Sequence, residues 1–577
     1  MISVLRSHAP RRLPTRSRHA LALGLSALAL AVSGAHAQSV PDAGSLLRQI
    51  EQQRVQPLPP APLPRPAPPP PMQQLDQASI TVRTFRFAGN TLLRADQLAP
   101  VVASFLNRPL TFAELQSAAI AVANAYRQAG WVVRAYLPRQ DVTDGDVTIQ
   151  VVEATFGRVQ IEGKPLQRMQ TSRLRRIVEA AQPPGQPLNG DSLDRALLLI
   201  DDLPGVSATG RLTEGQRDTE TDLLLSVADA ALFSGDLLLD NTGARSTGVW
   251  RLSGNAFANS PAGFGDQLST NLLHTQGSNY LRLGYTVPVG YGGWRLGANT
   301  SHLAYQLQTP AFAALDAKGT STTAGAEATY PLLRSRVQSV YFSSSVDFKR
   351  FDNLSGGVTT TQYKTSVANF GLNGNRFDEF QGGGVSSANL TFSLGRVNLA
   401  GSPNEASDAA SVRSAGSFNK LRYGASRQQT LPSDFSIYAS FSGQAASKNL
   451  DSSEKFYLGG STGVRAYPSS EGGGSAGQLL TLELRARAHE RVNLSGFFDI
   501  GSVTVNKDNA IAGAAALNSY TLKGVGVSAA WSSPVGVNLK ATLARRIGDN
   551  PNPTSTGQDQ DGTRVKNRVW LQASLPF

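Results

Sequence analysis

From about residue 232 to the C terminus, apolar and polar residues alternate in short runs separated by Gly, Ser, Thr and Asn. In 340–348, Val340, Phe342, Val346 and Phe348 fall on one face. In 480–487 the leucines face one way, and Glu483, Arg485 and Arg487 face the other. In the last run Val569, Leu571, Ala573, Leu575 and Phe577 share a face. Apolar outward and polar inward over about ten residues is the pattern of a lipid-facing barrel strand. At roughly 20 residues per strand and loop, this segment holds about sixteen strands. A soluble β-sandwich or solenoid is the competing reading. The frequent inward charges and the terminal aromatic residue favour the barrel.

The period is different upstream. An alternating strand at 80–87 ends at Gly89-Asn90. A helix is expected over 96–106. Thr111-Phe-Ala-Glu114 reads as a capping box opening a second helix through Gln128, with Leu115, Ala119, Val122 and Tyr126 on one face. Strands follow at 131–137 and 147–152. The same β-α-α-β-β order recurs over 156–228: a strand at 159–161, helices at 173–181 and 192–203, and strands at 206–212 and 222–227. Two small α+β units in tandem point to binding platforms, whose strand edges accept extended peptides. Ahead of them, Leu46, Leu47 and Ile50 line one face of a short helix over 45–54, with Ser45 as the expected N-cap. Ten prolines between Pro57 and Pro71 then form a stiff spacer. Residues 1–19 are basic, 21–32 are apolar, and Ala35-His36-Ala37 is a small-residue cleavage site. The apolar stretch is shorter than the roughly 20 residues of a spanning helix, so it reads as an export signal with Gln38 as the first mature residue.

Composition narrows the chemistry. The absence of cysteine removes disulfides, thiolate metal sites and Cys nucleophiles. Three of the six histidines lie in the first 36 residues, which leaves His274, His302 and His489 without metal-ligand spacing. No metal site and no cofactor is expected. Five arginines before residue 20 account for much of the net charge of +12. Without a basic run interleaved with aromatics, nothing points to nucleic acid. Gly459-Gly-Ser461-Thr-Gly463 fits G-x-S-x-G but precedes no helix. Gly472-Gly-Gly474-Ser-Ala-Gly477 fits G-x-G-x-x-G without a βαβ unit around it. No catalytic residue is assigned, and the chain is not expected to be an enzyme.

One stretch carries a sharper expectation: Tyr457-Leu-Gly-Gly-Ser-Thr-Gly463-Val464-Arg465-Ala466-Tyr467-Pro468, followed by a Gly/Ser loop and then Phe497-Phe498-Asp499 on a later strand. Arg465 is either solvated at a loop tip or folded into the lumen, where a carboxylate such as Asp499 would hold it bidentately. Val464-Arg465-Ala466-Tyr467 is similar to the V-R-G-[YF] lid signature of outer-membrane transporters of two-partner secretion, the ShlB/FhaC/HecB-type (TpsB) family, departing at Ala466. Phe497-Phe498-Asp499 resembles the family's F-x-D strand. The stretch Asp240 to Gly248 resembles its first barrel hairpin, and Phe577 resembles the assembly signal of outer-membrane barrels.

The resemblance implies a fold of α+β POTRA repeats followed by an all-β, 16-stranded transmembrane β-barrel with an N-terminal plug helix. It implies a signal peptide at 1–37, the plug helix at 38–55 (Leu46, Leu47, Ile50), a Pro-rich linker at 56–78, POTRA units at 79–154 and 155–230, and the barrel at 231–577. A lumenal lid loop is implied near 459–478, carrying Gly463, Val464, Arg465, Ala466 and Tyr467 and locked to Asp499 on the strand that bears Phe497. It implies a pore that catches an unfolded partner exoprotein through the POTRA units, with Tyr126, Val133 and Tyr136 of the first unit (and Val122) as contacts or simply as core. The implied partners are a large secreted exoprotein of β-helical type, the barrel-assembly machinery and outer-membrane lipids, with no nucleic acid. A barrel-assembly factor of the same superfamily and a passive porin are the alternatives. The expected location is the bacterial outer membrane, with the POTRA units in the periplasm.

Overall fold

The computed structural model describes residues 40–53, 79–142 and 144–577. The expected signal peptide and proline linker, and residues 38–39 and 54–55 of the expected plug segment, lie outside the described residues. Sixteen antiparallel strands, from Phe233–Asp240 to Asn567–Pro576, close into one barrel. The last strand pairs with the first through Gln572↔Asp240 to Pro576↔Asp236. The Phe577 amide donates to the Gly235 carbonyl at 2.9 Å and extends that seam. A Cβ at Gly235 would lie 2.6 Å from the Phe577 ring, so glycine there leaves room for the terminal aromatic. Outward-facing Leu, Val and Phe side chains, such as Phe348, Leu372, Phe392 and Leu571, are exposed around the wall. They form the apolar band that hydrocarbon covers. No helix among the described residues is long and apolar enough to cross a membrane; the strands do so.

Each upstream unit is a three-stranded sheet covered by two helices. In the first, Asp146–Glu153 lies between Thr84–Ala88, which runs parallel to it, and Val133–Tyr136, which runs antiparallel. Ala95–Val102 and Phe112–Gln128 cover the sheet. Thr111 caps the longer helix, and Glu114 returns the bond to the Thr111 amide at 2.8 Å. The second unit repeats the arrangement, with Glu220–Asp229 between Thr155–Glu162 and Val206–Glu214. Its helices are Thr171–Ala181 and Gly190–Asp201.

The second unit is bolted to one end of the barrel. Arg334 grips Asp202 with two bonds of 2.8 and 2.9 Å. Arg336 pairs with Asp194 at 3.0 Å. Arg195 donates to the Pro331 carbonyl at 2.7 Å, and Arg176 to the Tyr291 hydroxyl at 2.8 Å. The barrel turns near 290 and 335 therefore lie on the same side as the α+β units.

The N-terminal helix runs over Ala43–Gln52 and sits inside the barrel. Its N-cap is Asp42, not Ser45. The Asp42 carboxylate accepts from the Ser45 amide at 2.7 Å, and the Ser45 hydroxyl takes the N3 place in a reciprocal capping box. Asp caps as well as Ser does, so the helix starts half a turn earlier than the apolar spacing suggests.

Candidate functional site

The lumen is occupied by two pieces of the chain. The helix takes one side. Ala43, Leu46 and Leu47 are buried against Leu273, Leu303, Tyr305, Phe351, Tyr363 and Phe418, which project inward from strands on that half of the wall. Ile50 packs against the same cluster but is only partly buried. Each buried leucine contributes about 2 kcal/mol of apolar transfer. Polar bonds fix the register. The Ala43 amide donates to Asn353 Oδ1 at 2.9 Å, Ser452 donates to Asp42 at 2.7 Å, and Lys349 pairs with Glu51 at 3.2 Å. Beneath the helix Lys420 pairs with Glu454, so these buried charges face opposite ones.

The other side is filled by the loop between strands Phe435–Ala446 and Ala476–His489. It enters through the short ladder Phe456–Tyr457 with Gly473–Gly474. Arg465 stands at its tip, only 6% exposed. Its Nε and Nη2 donate to the two oxygens of Asp499 at 2.9 and 2.8 Å, and its backbone amide adds a third bond at 3.1 Å. Nη1 donates to Glu483 at 2.7 Å. The guanidinium lies over the Phe497 ring, 3.4 Å from its centroid. Thr481 donates to Asp499 at 3.1 Å, and Trp570 Nε1 to the Arg465 carbonyl at 2.8 Å. Strands from 476 to 576 thus converge on one residue. Bidentate, charge-assisted bonds in a site shielded from water fix orientation as well as position.

The neighbours of Arg465 explain the departure at position 466. Ala466 is fully buried, and it is absent from the residues with positive φ, so its backbone needs no glycine. Its methyl faces Gly524, where an added Cβ would come within 2.8 Å. The space for the methyl lies across the interface. Tyr467 is buried under the Arg546 guanidinium, 4.6 Å from the ring centroid. Farther along, Glu471 is fully buried without an ion-pair partner within 4.0 Å among the described residues. It accepts from Asn550 at 3.0 Å and from the Gln560 amide at 2.9 Å. Burial pushes its carboxyl up to about 7, and Asp559 and Asp561 add to that rise against the two donors.

The two lumenal pieces touch. Gln52 donates to the Tyr457 carbonyl at 3.0 Å, Arg48 to the Lys455 carbonyl at 3.0 Å, and Gln53 to the Ser469 hydroxyl at 3.4 Å. Arg251 bridges Gln53 to Asp240 on the first barrel strand.

The other sequence-level candidates sort clearly. Ser461 lies in a turn of the lumenal loop rather than at a strand-to-helix elbow, and His489 Nδ1 accepts from Arg491 in its own hairpin. Among the described residues no group of three or more metal-ligating side chains forms. In the first α+β unit, Tyr126 and Val122 are 0% exposed. Tyr126 donates to Glu153 at 3.0 Å, so it is a core residue rather than a partner contact. The reason is its position on the inner face of the helix, in line with Leu115, Ala119 and Val122. Val133 packs partly buried against that core, whereas Tyr136, at 39% exposed, is on the surface beneath Arg134.

A closed sixteen-stranded barrel preceded by two POTRA-type α+β units, the second docked on it, with a lumen filled by its own chain, defines a class: outer-membrane transporters of the POTRA-barrel type. Comparison with known proteins narrows this. A family model described as haemolysin secretion/activation protein ShlB/FhaC/HecB matches residues 219–522, more than half of the chain, and one for the ShlB-type POTRA domain matches 80–154. The chain belongs to the ShlB/FhaC/HecB family. The heme/hemopexin transporter protein HuxB of Haemophilus influenzae (strain 86-028NP) is 26% identical over 529 residues, 88% of this chain and 92% of that protein. The outer membrane transporter CdiB of Dickeya dadantii (strain 3937) is 24% identical over 419 residues, 71% of this chain and 72% of that one. Among solved structures, CdiB from Escherichia coli superposes with a TM-score of 0.69 at 18% identity, covering 99% of this chain and all of that one. CdiB from Acinetobacter baumannii gives 0.62 at 17%, covering 93% and 100%. The barrel resides in the outer membrane and the POTRA units lie in the periplasm, which makes the turns near 290 and 335 the periplasmic ones.

Proposed function

We propose that the chain is a gated translocation pore that carries one large secreted exoprotein across the outer membrane. The observation that carries this reading is the doubly occupied lumen, in which the helix and the loop that bears Arg465 are bonded to each other and to opposite halves of the wall. A passive porin has no use for such a closure, nor for periplasmic binding units.

In this reading the 43–52 helix is a plug, seated by apolar contact and by polar bonds that include the Lys349–Glu51 pair, and able to leave as a unit. The 458–475 loop is a lid whose seating depends on Arg465, Asp499 and Glu483. The POTRA units receive the partner as an unfolded chain. The edge strand Val133–Tyr136 has a free side for strand addition, with Tyr136 beside it as an exposed aromatic contact. No nucleotide-binding motif is present, so the work of transport is assigned to folding of the partner outside the cell, as suits a β-helical cargo. Insertion of the barrel itself is assigned to the barrel-assembly machinery, with Phe577 as its recognition residue.

The experiment is protein mass spectrometry of culture supernatants from a host with and without this gene. One large protein should vanish on deletion and return on complementation. A joint fall of many outer-membrane proteins would instead mark an assembly factor, and unchanged supernatants with altered solute uptake would mark a porin.

A further inference from the structure

The outer wall of the barrel is not evenly covered. On its periplasmic half, across six neighbouring strands, Val340, Gly374, Ala388, Ala425, Phe441 and Leu480 stand side by side in one row. Gly374, Ala388 and Ala425 are the smallest residues of that row. The next row toward the outer leaflet carries Phe342, Leu372, Leu390 and Tyr423. A shallow, open depression of about 590 Å³ results.

Its periplasmic rim carries two arginines. The adjoining row is Gln338, Arg376, Ser386, Arg427 and Ala439. Arg427 is spent within the protein: it holds Asp378 with bonds of 2.8 and 2.9 Å and also donates to Ser386 and Gln429. Arg376 is exposed and makes no ion pair within 4.0 Å among the described residues; its electrostatic neighbour Asp378 is held by Arg427. The turns at this end are the ones that meet the second POTRA unit, so the rim lies at the headgroup level of the periplasmic leaflet.

We propose that this groove binds one glycerophospholipid of the periplasmic leaflet, an acyl chain lying over Gly374, Ala388 and Ala425 and the phosphodiester on Arg376. Arginine forks match phosphate geometry, and a cation at the interface gains from an anionic headgroup. A second groove on the same wall serves as an internal comparison. It measures about 500 Å³, is lined by Leu484, Ala486, Leu494, Gly496 and Val527 among others, and has no charged residue in its lining. It offers a place for a chain and none for a headgroup.

The test is native mass spectrometry of the full-length protein after reconstitution in nanodiscs of phosphatidylethanolamine and phosphatidylglycerol. One retained phospholipid is expected on the wild type. Arg376→Gln should lower the retained fraction about tenfold, the loss of one charge-assisted phosphate contact, and Ala425→Leu should lower it similarly by filling the groove. Ala541→Leu, in the uncharged groove, should leave it unchanged. Heat-modifiable gel migration confirms a folded barrel in each variant, and Arg376→Gln decides alone if Ala425→Leu fails to assemble. Equal retention by wild type and Arg376→Gln would overturn the proposal. So would a wild type that keeps no lipid, that keeps inorganic phosphate instead, or that covers the groove with a second copy of the chain.

Discussion

The two halves of the lumen are closed in different ways. Along strands from 267 to 430 the closure is an α-helix seated by Ala43, Leu46 and Leu47 on an aromatic and aliphatic wall. Along strands from 476 to 576 it is a loop whose Leu458, Val464 and Tyr467 pack on the wall and whose tip is locked by one guanidinium between two carboxylates. Apolar contact is non-directional and tolerates departure and return. A buried ion pair is geometric: breaking it by removing one partner leaves an uncompensated charge at a cost of about 3–5 kcal/mol. The helix, a separate segment whose one ion pair among the described residues is Lys349–Glu51, suits a part that leaves entirely, and the loop, anchored at both ends in strands and locked at its tip, suits a part that shifts between defined positions.

The sharpest way to break that contrast is Arg465→Ala. Asp499 and Glu483 lose their shared cation, and the loop should lose its seat. Secretion should fall about tenfold or more, while the barrel still inserts and shows heat-modifiable migration. Asp499→Asn should act in the same direction, and the double variant should be little worse than either single one. Normal secretion by Arg465→Ala would end the lid reading.

Removing residues 39–54 tests the other half. Ion conductance in planar bilayers should rise several-fold as the apolar seat is vacated, with much of the secretion retained. Unchanged conductance would show that the helix does not obstruct the pore.

Glu471 provides a smaller, graded effect. Its carboxyl titrates near 7 in the seated loop and near the ordinary 4.5 once water reaches it. A raised carboxyl pKa means that the seated loop binds the proton more tightly, so protonation favours closure. Seating is strongest below about pH 4.5, weakens as pH rises toward 7, and then levels off. Spontaneous openings of the pore should be rarer at pH 5 than at pH 8. Glu471→Gln should flatten that dependence at the closed level. Asn550, Asp559, Gln560 and Asp561 face Glu471, so the same measurement on Asp559→Asn shows whether the second carboxylate shares the response.

Much of the architecture was legible because it is periodic. Alternation of period two marks the barrel strands, and the capping box at Thr111 marks a helix start to the residue. The residues alone left Arg465 either at a solvated loop tip or paired in the lumen with a carboxylate such as Asp499, and the resemblance to a family pattern favoured the lumenal pairing. What stayed hidden depends on closure of the barrel. Trp570 meets the Arg465 carbonyl 105 residues away, and Lys349 meets Glu51 across 298 residues. No local pattern encodes such meetings, because they are set by which strands become neighbours around the ring. The Arg334–Asp202 and Arg336–Asp194 pairs that dock the second POTRA unit were hidden for the same reason. Tyr126 shows the opposite failure: its helical spacing was visible, but spacing alone does not tell an inward stripe from a contact surface.

The central claim is that the helix must leave the lumen for cargo to pass. Because the chain has no cysteine, one introduced pair tests this without background. Gly44 lies in the helix, and a Cβ there would be 3.1 Å from the Cβ of Ser453, a little under the usual disulfide spacing of about 3.5–4.5 Å, with the Ser452 and Tyr363 hydroxyls, at 2.7 and 2.8 Å, required to move aside. Gly44→Cys with Ser453→Cys, its bridge verified by gel shift, should secrete poorly when oxidised and return on reduction to the level of the Gly44→Cys single variant. Full secretion by the oxidised, bridged protein would contradict the account.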